Sequence, residues 1–201
     1  ATLASSAVTV WHALYHVARI KAGDIVLSLG TGGVSTWGTQ LARAAGARVV
    51  VTSSSDDKLE RMRALGADAG VNYRMTPEWG KAVLDATGGR GVDIVLENVG
   101  RATLDQSMNA CAENATIVLI GTGPLPKELP RMPGVYQKNL TLKAISNGSR
   151  RMLEELLQAI AVNKLEGVIE QEFAFADAVE AYRFMRDGSR LGKVLIRHRA
   201  A

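Results

Sequence analysis

Apolar residues fall along this chain in two alternating rhythms. Short, nearly unbroken runs at residues 25–29, 48–52, 69–73, 92–97, 116–120 and 140–145 read as strands buried on both faces. Between them the apolar positions return every three or four residues, as in helices with one buried face. Val10, Leu14, Val17 and Ala18 form such a stripe within residues 3–20, which ends before the turn Lys21-Ala22-Gly23-Asp24. Val34, Trp37, Leu41 and Ala45 repeat it after Gly33, and Leu59, Met62 and Leu65 repeat it before Gly66. Asp57, with Glu60 three positions on, reads as a capping box for the latter helix. Pro77 opens a helix with Trp79, Val83 and Leu84 that closes at Gly88-Gly89, and another spans residues 103–111. Residues 124–134 hold four prolines and read as a surface loop. The tail carries an amphipathic helix over 150–163, then Glu172-Phe173, a helix over 177–186 and a last strand over 194–197.

Strands alternating with helices at this spacing predict an α/β chain, a Rossmann-type doubly wound parallel sheet of about six strands with helices on both faces. Composition leaves that picture unchanged, because 47% apolar and 22% charged residues are ordinary for a globular domain. The net charge of +4 is spread along the chain without a basic stripe or interleaved aromatics, so nucleic acid is not an expected partner. No apolar run approaches the ~18 residues of a membrane span, and the start lacks a secretory layout, so no membrane association is expected. The single Cys111 offers neither an internal disulfide nor a zinc-binding pair, which makes a reducing cytoplasm the expected location. His12 and His16 stand four apart, a spacing that can hold a metal, but no third ligand is evident and no metal is expected. The missing initiator Met, with a start inside a helix, reads as a fragment or a processed chain.

Candidate chemistry gathers where the first strand meets its helix. Gly30, Thr31, Gly32, Gly33 and Val34 form a glycine turn that aims backbone amides and the positive end of a helix dipole at a docking anion. Gly30 permits the tight turn, and Gly32 lets a pyrophosphate approach without meeting a Cβ. The third glycine of the dinucleotide fingerprint falls at Ser35, small enough for close strand–helix packing. Such turns also occur for geometry alone, but the second strand completes a β-α-β unit of roughly 30 residues, the span that dinucleotide binding requires. A P-loop fits less well, since the Gly-Lys-Ser/Thr ending is missing. About 20 positions past the glycines, where an NAD site carries an acid for the ribose 2′-hydroxyl, the chain has Ser53 among Thr52, Ser54 and Ser55. Hydroxyls and Lys58 suit a 2′-phosphate, so NADP is expected over NAD; capping of the next helix is the other use for these serines. Ligands in such a sheet sit at the strands' carboxyl ends, here the loops 30–34, 52–55, 98–100 and 121–123.

Several separate motifs resemble the medium-chain dehydrogenase/reductase superfamily, particularly its zinc-independent quinone oxidoreductase-like and alcohol dehydrogenase-like members. They are Thr9-Val10-Trp11-His12-Ala13-Leu14, Lys21-Ala22-Gly23-Asp24, Gly30-Thr31-Gly32-Gly33-Val34-Ser35, Ala64-Leu65-Gly66-Ala67-Asp68, Asn72-Tyr73-Arg74, Gly88-Gly89-Arg90-Gly91-Val92-Asp93 and Leu191-Gly192-Lys193-Val194, in the family's order. The resemblance implies that Thr9 lies near the nicotinamide amide and that Gly32, Gly33 and Val34 face the pyrophosphate. Ser53, Ser54, Lys58 and Tyr73 would surround the adenosine 2′-phosphate. Asn98, Val99, Gly121 and Thr122 would flank the ribose and nicotinamide, Ser146 and Asn147 would come close to the nicotinamide, and Lys193 would reach the phosphates. It implies one dinucleotide-binding domain over 1–201, with a helix–strand extension from about residue 146. The GroES-like domain of complete members, which holds most of the substrate pocket and any catalytic zinc ligands, is expected to be missing from this piece. It also implies a homodimer through this domain's edge, involving residues 140–145 or the proline loop.

The expected function is therefore the NADP(H)-binding domain of an oxidoreductase acting on a small carbonyl, quinone, enone or alcohol. Half a cleft cannot hold hydride donor and acceptor in near-attack geometry, so this piece is expected to turn over poorly. A non-catalytic nucleotide-binding module is the alternative. A methyltransferase would want an acid at the end of strand two, where the chain has Thr52-Ser53.

Overall fold

The computed structural model describes residues 2–123, 133–186 and 190–198. Six strands, β1 (Ile25–Leu29), β2 (Arg48–Ser53), β3 (Ala69–Asn72), β4 (Val92–Glu97), β5 (Cys111–Leu119) and β6 (Thr141–Ala144), form one sheet in the order β3-β2-β1-β4-β5-β6. All neighbouring pairs are parallel. The order reverses between β1 and β4, so the loops leaving those strands diverge and open a crevice at the carboxyl rim.

Alternate residues of the central strands feed two separate cores. Val26, Val49, Val51, Ile94 and Leu96 face one side, against α1 (Ser6–Trp11), α2 (Gly33–Ala44), α3 (Asp56–Ala64) and α7 (Arg150–Asn163). Ile25, Leu27, Leu29, Val50 and Val95 face the other, against α4 (Trp79–Ala86) and α5 (Leu104–Ala110). Burial on both faces is why these strands carry almost no polar positions.

Several boundaries differ from expectation, each for a local reason. The first helix, expected over 3–20, begins as a 3-10 turn Thr2–Ala4 and passes from α1 into a π-helix His12–Val17. It stops early because Arg19 takes the left-handed conformation (φ 54°), ahead of the Gly23 turn. The capping box at Asp57 does not form: Ser55 is the N-cap of α3, Asp56 accepts from Asn72 Nδ2 at 3.0 Å, and Glu60 pairs with Arg63. Helix α4 starts at Trp79 rather than Pro77. Cys111, expected to end a helix, opens β5 by pairing with Val92, and Lys138 Nζ donates to the carbonyls of Met108, Asn109 and Cys111 at the end of α5. Most of the proline-rich stretch lies outside the described residues; its last two, Pro133 and Gly134, begin α6 (Pro133–Gln137).

Beyond the sheet, β7 (Ile169–Ala174), a 3-10 turn Phe175–Asp177, α8 (Ala178–Arg186) and β8 (Lys193–Arg197) build a second, two-stranded parallel sheet. Its register slips between Ile169 and Gln171, which leaves Glu170 as an extra, bulged residue. The Gly192 amide donates to the Thr31 carbonyl at 2.9 Å, and Gly32 and Gly192 form a parallel bridge. The tail of the chain is thereby laid against the glycine turn.

Candidate functional site

At the crevice, Gly30 follows β1 with φ +74°, a conformation that a side chain resists. Gly32 is the N-cap of α2, and a Cβ added to it would meet nothing within 4 Å. The face of the turn is thus open to a ligand, beside helix amides that have no partner within the helix. Gly33 is different: a Cβ there would stand 3.0 Å from Ser6 Oγ and 3.1 Å from Lys193 Cε, so its small size admits α1 and the Lys193 side chain. The Lys193 side chain accordingly lies against the start of α2. Burial, followed by the nearby Arg190 charge, pushes its pKa down.

Close strand–helix packing is shared by two residues, Ser35 and Gly38. Ser35 is fully buried and donates to the Leu29 carbonyl at 2.7 Å, while Asn98 Nδ2 donates to its Oγ at 3.2 Å. The glycine that lets α2 approach the sheet is Gly38, whose added Cβ would come 2.7 Å from Leu96 Cδ1.

Ser53, Ser54, Lys58 and Tyr73 do come together, with Gly30, Thr31 and Gly32, around a pocket of about 180 Å³. Arg190, from the far end of the chain, completes its wall. Burial, then the charges of Arg74 and Arg190, lower the Lys58 pKa, the signature of cations gathered in one place. Tyr73 also borders an apolar slot of about 410 Å³ with Leu29, Pro77, Trp79, Val99 and Thr103. Gly121 and Thr122 line a third cavity, of about 730 Å³, over β5 and β6. Thr9 and Asn147 meet through Thr9 Oγ1 and Asn147 Oδ1 at 3.2 Å, and His12 Nδ1 lies 2.5 Å from the Asn147 carbonyl. Ser146 is exposed beside them.

The loop after β4 is held by Glu97, a carboxylate with no exposed surface. Its Oε1 accepts from the amides of Val99 and Gly100 and from Thr103 Oγ1, and its Oε2 accepts from Ser107 Oγ at 2.5 Å. Four donors replace the water it lost, the condition for burying such a group. This loop lies hard against the one after β5: Cβ atoms on Gly121 and Gly123 would come 2.3 Å from the backbone of Asn98 and Val99.

Arg190, Trp79 and Glu97 escape a reading of the sequence. Trp79 resembles any apolar helix position and Glu97 any strand end, while Arg190 is far from the serines in sequence. Among the described residues no group of three or more His, Cys, Asp or Glu side chains could hold a metal, and no role is assigned to one. His16 instead pairs with Glu155 at 2.8 Å. Among those residues, too, no helix is long and apolar enough to cross a membrane.

Residues 33–162 match the model of a family described as zinc-binding dehydrogenase. The chain is 37% identical to a zinc-type alcohol dehydrogenase-like protein of Schizosaccharomyces pombe, over 98% of its own length and 59% of that protein's. A candidate alcohol dehydrogenase from Sinorhizobium meliloti superposes with a TM-score of 0.91 at 40% identity, over 98% of this chain and 57% of that one. An NAD-dependent alcohol dehydrogenase superposes with a TM-score of 0.90 at 31% identity, over 96% of this chain and 57% of that one. The chain therefore spans somewhat over half the length of these relatives.

Proposed function

This chain belongs to the zinc-binding dehydrogenase family, within the medium-chain dehydrogenase/reductase superfamily, and from that premise we propose that it is the NADP(H)-binding domain of an oxidoreductase. Its substrate would be a small carbonyl, quinone, enone or alcohol. The observation that carries the reading is the pocket uniting the glycine turn with Ser53, Ser54, Lys58, Tyr73 and Arg190. Hydroxyls and cations suit a phosphate, whereas an acid here would hold a free ribose and repel one.

In this reading the first-turn amides of α2 and the Lys193 ammonium hold the pyrophosphate. The slot between Tyr73, Trp79 and Val99 receives the adenine, and the serine–lysine–arginine pocket receives the 2′-phosphate. Thr9, Asn98, Gly121, Thr122, Ser146 and Asn147 border the nicotinamide and its ribose. When bound, the nicotinamide supplies the hydride donor or acceptor, and this chain's residues fix where its ring lies. Glu97 contributes by holding the backbone of Val99 and Gly100 in one place. A second domain, in the length that full relatives carry beyond this match, would complete the substrate cleft in a cytoplasmic enzyme that pairs as a homodimer. Without that domain the chain turns over poorly.

Calorimetric titration with NADPH, NADH and S-adenosylmethionine tests the reading. NADPH should bind tightest and S-adenosylmethionine not at all; equal or tighter NADH binding, as an NAD-dependent relative would give, overturns the cofactor assignment. Because Lys58 loses its proton at lower pH than an ordinary lysine, the ratio of NADPH to NADH affinity should fall as pH rises through that depressed value. The ratio should fall at the acid end too, once the phosphate protonates at about pH 6.

A further inference from the structure

The cations of the phosphate pocket come from distant elements, and Arg190 has to be carried to it. Just after Arg190 the chain is gripped on two sides. The Gly192 amide bonds the Thr31 carbonyl at 2.9 Å, and the Lys193 amide bonds the Val168 carbonyl at 2.9 Å. Gly192 itself has φ +80°, and a Cβ there would stand 2.4 Å from the Val168 oxygen. Between these grips sits Glu170, the bulged residue of β7. A bulge re-aims its side chain away from the regular alternation. Here the carboxylate reaches α3 and accepts from both arms of Arg61, Nη1 at 3.0 Å and Nη2 at 2.5 Å. The Glu170 side chain is only 18% exposed, so this fork is shielded compared with the other ion pairs of the surface. Arg190 itself donates from Nη1 to the Met185 carbonyl at the end of α8.

Resting on the NADP(H) reading above, we propose that Glu170 is a positioning residue for 2′-phosphate recognition. By tying β7, which pairs with the chain just past Arg190, to Arg61 on α3, it holds Arg190 at the wall of the pocket that Ser53, Ser54 and Lys58 line. A carboxylate near a phosphate site would by charge alone oppose the ligand. Its pairing with Arg61 neutralises that cost and converts it into a clamp.

The sign of one substitution separates the two effects. If Glu170 acted only through its charge, Glu170→Gln would tighten NADPH binding. As a positioning residue it should weaken NADPH binding by about five- to tenfold and leave NADH within about twofold, a selective loss of roughly one decade at most. Arg61→Ala, on the solvent side of α3, should give the same selective loss. The double variant should be no worse than either single one, as expected of partners in one interaction. Glu172→Gln, whose partner is Arg197 on β8, should change neither nucleotide. All variants are titrated calorimetrically in this same chain, with thermal melts recorded alongside. Unchanged or tighter NADPH binding in Glu170→Gln overturns the proposal, and so does an equal loss for both nucleotides, which a merely structural role gives. A wild-type chain without NADPH preference overturns the cofactor reading first, before any variant is compared.

Discussion

Gly32 and Gly33 adjoin in sequence yet are small for opposite reasons. Gly33 makes room for Ser6 and Lys193 of the protein itself, while among the described residues nothing fills the space above Gly32. Alanine at position 32 would keep an accessible backbone (φ −77°) and meet no atom. Gly32→Ala should therefore cost no more than about 1 kcal/mol of stability, the scale of an N-cap change. If the pyrophosphate rests there, both NADPH and NADH should lose more than about tenfold in affinity, a test made by pairing thermal melts with titrations. Counting glycines located the turn but not this division of labour. The spacing rule pointed at Ser35 for close packing, and Ser35 does lie buried against the end of β1, but Gly38 shares that role. The Gly38 contact is tertiary, made with Leu96 of β4, which no local pattern encodes. Arg190 was invisible for the same reason, being joined to the serines only through the folded tail.

Elements were far more legible than their ends. The central strands and α7 follow directly from apolar periodicity, because two-sided burial leaves an unmistakable run and an amphipathic helix an unmistakable stripe. The ends were decided by distant partners, as when Lys138 caps the carbonyls of α5 and lets β5 begin at Cys111. The pairing of α4 with α5 shows such a partnership at its tightest. Gly80 donates its amide to Gln106 Oε1 at 2.8 Å, and a Cβ on it would lie 2.3 Å from the Gln106 carbonyl oxygen. Helix propensity alone favours alanine there, but the backbone of α5 cannot yield as a side chain would. Gly80→Ala should lose about 3 kcal/mol, read as a lower denaturant midpoint with an unchanged slope. A gain in stability would mean that the two helices are free to separate.

On the scale of the molecule, stability is unevenly distributed. The six-stranded sheet is sandwiched between two buried clusters, whereas β7 and β8 form a pair whose residues are mostly exposed or half-buried. Amides of β1 and β4 should exchange with solvent only on global unfolding, and those of β7 and β8 should exchange faster by at least about tenfold. Hydrogen exchange followed by mass spectrometry checks the ranking, and equal protection in both sheets would refute it. NADPH should slow exchange in the weaker pair if Arg190 grips its phosphate.

The bridge between Gly32 and Gly192 gives this architecture a calendar. A ribosome makes the glycine turn before the rest of the sheet, and the segment that braces it only after β7 and α8. A growing chain can close its main sheet while the turn still lacks that brace, so the turn reaches its final setting only once the start of β8 has been made.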